Sequence, residues 1–461
     1  MPSGQSKVER VKQTEEKRYF YRNFFSIYTA LVLQNVITLS VNLADNMMLG
    51  AYSETSLAGV AAVNQIQFVF QQMLLALGDG AVMFCSQYWG RKQTEPMRKI
   101  AATAMRTGLL VAVILFLLVS FFPYQAVGLF TTDGPIIEEG VRYIRLIRFT
   151  YLFFAVTQLL LASLRSVEVV RIAFYLSVMT FFVNCGINYV LIYGKFGAPK
   201  LGVAGAAIGT LAARILECGI LIFYVARKEK RLCLKLRGYF QFDRVLSKDY
   251  FKVTAPVFFV QSLWGLNTAL QTVILGHMTA AAIAANSVAS TLFLMVKSMA
   301  VGAASTASVL IGKTVGAGDM GQVKLYAVRL QKMFLAIGVV SGIILFFLRI
   351  PVLSLYDLSP VTKDMANTFL IILSVVCVGM SYQMPTNNGI IRGGGHAGFV
   401  VKLDLISIWG IVLPVSFFMA FVVKASPVVV VCCLNADQIF KCIPAFMEVN
   451  FGKWVRKLTR D

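Results

Sequence analysis

The chain has 461 residues, 57% of them hydrophobic and 14% charged, with a mean hydropathy of +0.72. That balance excludes a water-soluble domain of this length and points to repeated apolar segments of about 20 residues, the length that crosses a bilayer as helix. The net charge of +21 would suggest a nucleic-acid partner in a soluble protein, but the places where the charges fall exclude that here.

Twelve spans are predicted, over 24–46, 57–83, 104–122, 141–163, 172–194, 203–226, 253–275, 283–309, 326–347, 365–390, 400–423 and 427–446. With the N-terminus placed in the cytoplasm, 32 of the 43 lysines and arginines fall on that side and eight on the other; Arg214, Lys297 and Lys441 fall within spans. This positive-inside bias puts both termini in the cytoplasm of a multi-pass cell-membrane protein. The basic surplus then faces the anionic headgroups of the lipid bilayer. The eight cysteines have no metal or disulfide spacing and read as small core residues. Residues 1–22, polar and mixed in charge, read as a cytoplasmic N-terminal lead with no cleavable signal peptide.

The first lobe is expected over 23–226. Its first span carries Gln34, Asn35, Asn42, Asp45 and Asn46, too polar a set for a lipid-facing helix. A carboxylate inside hydrocarbon costs several kcal/mol, so Asp45 should face a bundle interior or a wet cavity. It is read as a cation-coupling site, with a structurally paired acid as the alternative. Span 2 carries Asn64, Gln65, Gln67, Gln71 and Gln72, then Asp79, for which Arg91 or Lys92 is the expected partner. Arg142, Arg145 and Arg148 form a stripe on span 4. Pairing with Asp133, Glu138 and Glu139 is expected, and contact with an anionic substrate is the alternative. Asn184 and Asn188 lie one turn apart on span 5. Span 6 opens with the small-residue run GVAGAAIGT, suited to close helix packing, and continues with Arg214 and Glu217, an expected internal salt bridge.

The basic cytoplasmic linker 227–252 is the midpoint, and the second half repeats the first. Leu49-Gly50 matches Leu275-Gly276 and Leu129-Phe130 matches Leu355-Tyr356, both at an offset of 226. Gly80-Ala81, Ser86 and Gly90 match Gly302-Ala303, Ser308 and Gly312 at 222, and Leu164-Arg165 matches Ile391-Arg392 at 227. The fold expected is an all-α polytopic membrane protein. Its twelve transmembrane helices form two six-helix lobes related by a pseudo-two-fold axis along the membrane normal. The second lobe covers 253–447, followed by a basic cytoplasmic tail, 448–461. Pro256, Pro385 and Pro414 interrupt backbone bonding inside spans and are candidate hinges. Lys297 lies within span 8 and Asp404 near the start of span 11. Asp437 and Lys441 are spaced as an i,i+4 pair.

ADNMMLG followed by SLAGVAAV, then SQYWGRK, GVAGAAIGTLAARILE, IGKTVGAGD, GIIRGGGHAGF and FGKWVRKLTR occur in this order across two six-span halves. In this the chain resembles the multidrug and toxin extrusion (MATE) family over residues 20–460. The resemblance implies two lobes around a cavity that opens alternately to each side. It also implies export of organic, often cationic and amphiphilic compounds against an inward flow of protons or sodium ions. Many members carry a coupling acid in the first helix, and Asp45 stands at that motif position. An acid is frequent where Asn188 stands and near Gln261, and neither is present; the family's RGGGD reads RGGGH, ending on His396; and Lys297 is atypical. The ion-coupling set is therefore Asp45 with Asn42, Asn184 and Asn188. The substrate cavity is expected to use Gln34, Asn35, Gln65, Gln261, Lys297 and Asp404. No cofactor is expected beyond the coupling ion, and the partners are an organic small molecule and the bilayer around a monomer. A flippase for an anionic or lipid-linked precursor is the alternative, with Arg142, Arg145, Arg148 and Lys297 lining its path. A transport-dead receptor or scaffold is a second alternative. His277 and His396 are the only histidines and no nucleophile or metal constellation accompanies them, so the protein is not read as an enzyme. GIIRGGGHAG follows no strand and reads as a turn rather than a phosphate loop.

Overall fold

The computed structural model describes residues 7–229, 231, 243–276, 278–354 and 359–460. Residues 230 and 232–242 of the 227–252 linker, His277 and the Leu355-Tyr356 match lie outside the described residues. Apolar runs this long must satisfy their own backbone groups, and the described chain is almost wholly helical. The first lobe holds α1 (Lys7–Tyr52), α2 (Glu54–Gly90), α3 (Thr94–Phe121), α4 (Pro123–Gly128), α5 (Gly134–Ile147), α6 (Thr150–Ser166), α7 (Arg171–Tyr193) and α8 (Val203–Arg227). The second lobe opens with α9 (Arg244–Gly276), α10 (Ala280–Ala317), α11 (Met320–Ser354) and α12 (Pro360–Pro385). It closes with α13 (Ala397–Asp404), α14 (Leu413–Phe417), α15 (Pro427–Leu434), α16 (Asp437–Phe440) and α17 (Cys442–Phe451). Among the described residues ten helical runs are long and apolar enough to cross a membrane, and α5 with α6, bent by 55°, forms an eleventh. The 33-residue α9 stands where the seventh expected span lies and completes the twelve.

The internal repeat is visible in reciprocal contacts. Ser53 caps α2 by accepting the Ser56 N–H, and Thr279, at the same offset of 226, caps α10 by accepting that of Ala282. A Cβ on Gly80 would collide with Thr254 of α9, and one on Gly302 with Val32 of α1. Both glycines and both partners are 222 residues apart. These close approaches seat α2 on α9 and α10 on α1, so each lobe is held by the other's first helix.

Three features depart from a plain twelve-helix reading. The fourth span is broken. The N–H groups of Phe149 and Tyr151 bond to carbonyls only three residues back, on Leu146 and Arg148, and the Thr150 hydroxyl donates to Ile147 O. The ladder tightens there and the axis turns. In the second lobe the irregularity is the opposite one: π-helical turns follow Pro385 (Thr386–Ile391) and flank Pro414 (Leu405–Val412 and Phe418–Val422). Pro256 lies inside the unbroken α9. Finally, residues from Lys7 to 22 are no separate lead, because α1 runs through them without a break. Phe20, Phe24 and Ile27 of α1 are buried in the second lobe's core beside Phe334, whereas Leu49 belongs to the first lobe's core. α1 therefore joins both lobes, as does α9, whose Leu246 and Tyr250 lie in the first lobe's core and Ile274 and Leu275 in the second's.

The lobes meet at the end that carries the termini. From Leu74 to Tyr88 on α2 and from Ala303 to Val315 on α10 nearly every residue is buried. A Cβ on Gly316 would strike the Gln87 backbone. Lys313 Nζ on α10 pairs with Glu168, after α6, at 2.8 Å, and Asn23 of α1 bonds the same carboxylate at 3.0 Å. The chain after α17 then crosses between the lobes as a strap. Arg456 N donates to Gly394 O at 2.7 Å, Leu458 N to Gln87 Oε1 at 2.8 Å, and the Arg460 guanidinium to Asp249 at 2.6 Å. The glycine-rich turn is the platform for this strap: Gly395, at φ +95°, lets the chain turn beside Arg456 O.

Candidate functional site

Asp45 sits in the outer half of α1, against α7 and α8. Its carboxylate accepts from Asn188 Nδ2 at 2.7 Å. The same nitrogen donates to Asn184 Oδ1 at 3.2 Å, and Asn184 Nδ2 donates to Thr210 Oγ1 at 3.1 Å. Asn184 and Asn188 are four residues apart, so α7 presents both on one face. Both are fully buried. The approach depends on the small-residue run of α8: a Cβ on Gly209 would overlap Asn188 Oδ1. Tyr143 of α5, buried, lies beside Thr210 at the far end of this chain of polar groups.

Two facts make this constellation more than a satisfied polar core. Asp45 has no ion pair among the described residues. The nearby cation, Arg214, is held by Glu217 at 2.7 Å and stacks over Phe154 at 4.9 Å. In addition, Asn188 Oδ1 is buried with no hydrogen-bond partner. A carboxylate beside an unused carbonyl-type oxygen, in an apolar bundle, is a donor set for a proton or a small cation. Asn42, expected in the same set, is exposed and makes none of these bonds. Thr210, Tyr143 and Gly209 were not singled out from the sequence; the small-residue run of α8 was the available signal for Gly209.

The second lobe pairs its deep charges. Lys441 Nζ lies 2.9 Å from Asp437 and 3.0 Å from Asp404, and Asp404 also faces Arg392 at 3.9 Å. Asp404, expected in the substrate cavity, is thus held by two cations and remains part-exposed. Gln438 donates to Asp437, Gln383 to Gln438 and Asn387 to Gln383 at 2.9–3.0 Å, which extends the cluster into the π-helical segment after Pro385. Asp79 is likewise reassigned: it pairs with Arg165 at 3.3 Å, whose other nitrogen bonds Ser305 across the lobes at 3.2 Å, and not with Arg91 or Lys92.

The remaining cavity residues do not converge on one another. Gln34, Asn35 and Gln261 are half-buried and Gln65 is exposed. Lys297 Nζ lies 4.4 Å over the Trp264 ring, and Trp264 packs against Phe68 of α2 at 5.6 Å. On the outer stripe, Arg142 pairs with Glu139 at 2.9 Å beside a cavity of about 470 Å³ that Tyr52, Glu138 and Lys200 also line. Arg148 stacks on Phe116 and Phe149, so the stripe turns toward its own helices.

The MatE family profile matches residues 30–190 and 256–418, one match in each lobe. The chain is 25% identical to the probable multidrug resistance protein NorM of Thermotoga maritima, over 93% of this chain and 92% of that protein. It is 24% identical to the probable multidrug resistance protein YoeA of Bacillus subtilis, over 90% of each. The crystal structure of the eukaryotic MATE transporter AtDTX14 superposes with a TM-score of 0.84 at 17% identity, covering 95% of this chain and 96% of that one. An outward-facing multidrug resistance MATE transporter gives 0.81 at 17% identity, covering 93% and 94%.

Proposed function

The chain belongs to the MatE family of membrane transporters, and from that premise we propose that it exports organic, cationic or amphiphilic compounds from the cell against an inward flow of protons or sodium ions. It acts as a monomer in the cell membrane with both termini in the cytoplasm. The observation that carries this proposal is the Asp45–Asn188–Asn184–Thr210 chain, which holds an acid with no ion pair among the described residues on a helix that enters both lobes.

The coupling follows from that placement. Ionised Asp45 accepts from Asn188 and draws the outer half of α1 onto α7. Protonation removes the charge, or a sodium ion bound between Asp45 and the asparagine oxygens screens it. Either event changes the hold of α1 on the first lobe while its inner half stays buried in the second. The lobe arrangement is thereby biased, and an ion shifts that equilibrium only as far as its differential affinity for the two arrangements. Closure at the terminus-bearing end by Lys313–Glu168, α2 against α10 and the strap corresponds to a state shut on the cytoplasmic side. One inward charge supplies about 2.3 kcal/mol per 100 mV, enough for about a fiftyfold gradient of a neutral substrate.

The test is dye export from vesicles under separately imposed proton and sodium gradients. Export driven by one of them and lost in Asp45→Asn supports the proposal. Unchanged export by Asp45→Asn refutes it, and no flux under either gradient favours a receptor or scaffold. A flippase for an anionic precursor is kept as the second reading because Lys297, with no ion pair among the described residues, stands beside Trp264 at the seam of the lobes. Movement of an anionic lipid analogue in place of a cationic dye would select it.

A further inference from the structure

Five charged side chains stand deep in the second lobe: Lys297, Arg392, Asp404, Asp437 and Lys441. Four of them are paired, through Lys441 with Asp437 and Asp404, and Asp404 with Arg392. Lys297 has no ion pair or hydrogen bond among the described residues; Asp437 and Lys441 reach it only through space. With three cations against two acids, the cluster carries one positive charge in excess. That excess sits on the half-buried Lys297 head group, 4.4 Å over Trp264. Trp264 touches Phe68 of the opposite lobe, and Gln261 lies one turn before it on α9. The ammonium and its ring therefore face the seam that opens and closes as the lobes move. An aromatic face offsets only part of the cost of an ammonium at this depth. The site thus pairs an unneutralised cation with a flat aromatic wall on either side of the seam.

We propose that Lys297, carried on Trp264, is a specificity-determining residue that binds the negatively charged group of an aromatic amphiphilic substrate. The proposal rests on the exporter reading and narrows it to amphiphiles that bear an acidic group. The carboxylate docks on the ammonium, the substrate's rings pack against Trp264 and Phe68 as the seam opens, and Gln261 offers its amide. A wholly cationic compound meets repulsion from Lys297 in a medium of low dielectric, where like charges are costly.

The test uses the purified full-length protein and two dyes, a rhodamine with a free carboxylate and its methyl ester, which differ in that one charge. Wild-type protein is expected to bind the acid about tenfold more tightly than the ester, the size of a hydrogen bond to a charged partner. Lys297→Met removes the preference and Lys297→Arg keeps it. Equal or weaker binding of the acid by wild type overturns the proposal, and so does a preference that survives in Lys297→Met. The wild-type comparison decides alone if the methionine variant does not fold. Gradient-driven movement of the dyes in vesicles is read separately. Both dyes moving with equal affinity removes the Lys297 assignment and leaves export standing, whereas neither dye moving removes export and the assignment with it.

Discussion

Asp45 and Asp437 are both acids inside apolar helices, and their surroundings give them different roles. Asp437 is 4% exposed and faces Lys441 at 2.9 Å, so removing it leaves that buried cation with Asp404 alone, which Arg392 also faces. Asp437→Ala is expected to cost about 1.5–3 kcal/mol, read as a lower thermal midpoint in detergent. Asp45 holds no counter-cation, so Asp45→Asn keeps the bond geometry with Asn188 and leaves the thermal midpoint nearly unchanged while coupling is lost. Equal destabilisation by the two variants would contradict this division. Gly209→Ala supplies a third case. Its Cβ overlaps Asn188 Oδ1 and pushes the amide away from Asp45. Overpacking of this kind costs about 1–3 kcal/mol, and gradient-driven export should fall at least as far as stability does. At this scale the sequence exposed Asp45, Asn184 and Asn188 because polar residues at helical spacing stand out in apolar runs. It did not expose Thr210 or Tyr143, which reach the site from other helices. Nor did it expose the partners of Asp404, since Lys441 and Arg392 approach it from distant segments.

Helices carry the coupling between lobes. The repeat was legible as paired residues at a nearly constant offset, and the contacts explain the glycines: Gly80 and Gly302 are where the first helix of one lobe lies on the second helix of the other. Gly80→Val and Gly302→Val should each lower stability by about 1–3 kcal/mol and do so to similar extents; a large effect at only one would argue against the pseudo-symmetric crossing. The prolines were legible as breaks, but the form of each break was not, since π-turns after Pro385 depend on the polar ladder Gln383–Asn387 and its partner Gln438. The break in the fourth span has no proline and was invisible, because it follows from local bonding at Phe149 to Tyr151. Pro385→Ala is expected to slow transport while leaving substrate binding intact, a split that stopped-flow export and equilibrium binding resolve.

Across the molecule, the closed end is a set of bonds between lobes rather than a single plug. Glu168 ties Lys313 and Asn23, and the strap ties Gln87 and Asp249 to the glycine-rich turn through Arg456, Leu458 and Arg460. Charge reversal at Glu168→Lys should open this end, raising labelling of a cysteine placed at Ser305 from the cytoplasmic side; adding Lys313→Glu should restore protection. Unaltered labelling in the single variant would mean that the pair is not part of the lock. The two-lobe plan was legible from the repeat. The lock was not, because its members lie far apart in the chain.

The most direct test of the central claim is gradient-driven dye export by wild-type and Asp45→Asn protein reconstituted in vesicles, with dye binding measured on the same samples. Export lost and binding retained in Asp45→Asn is the result expected of a coupling acid on a shared helix. Full export in that variant would contradict it.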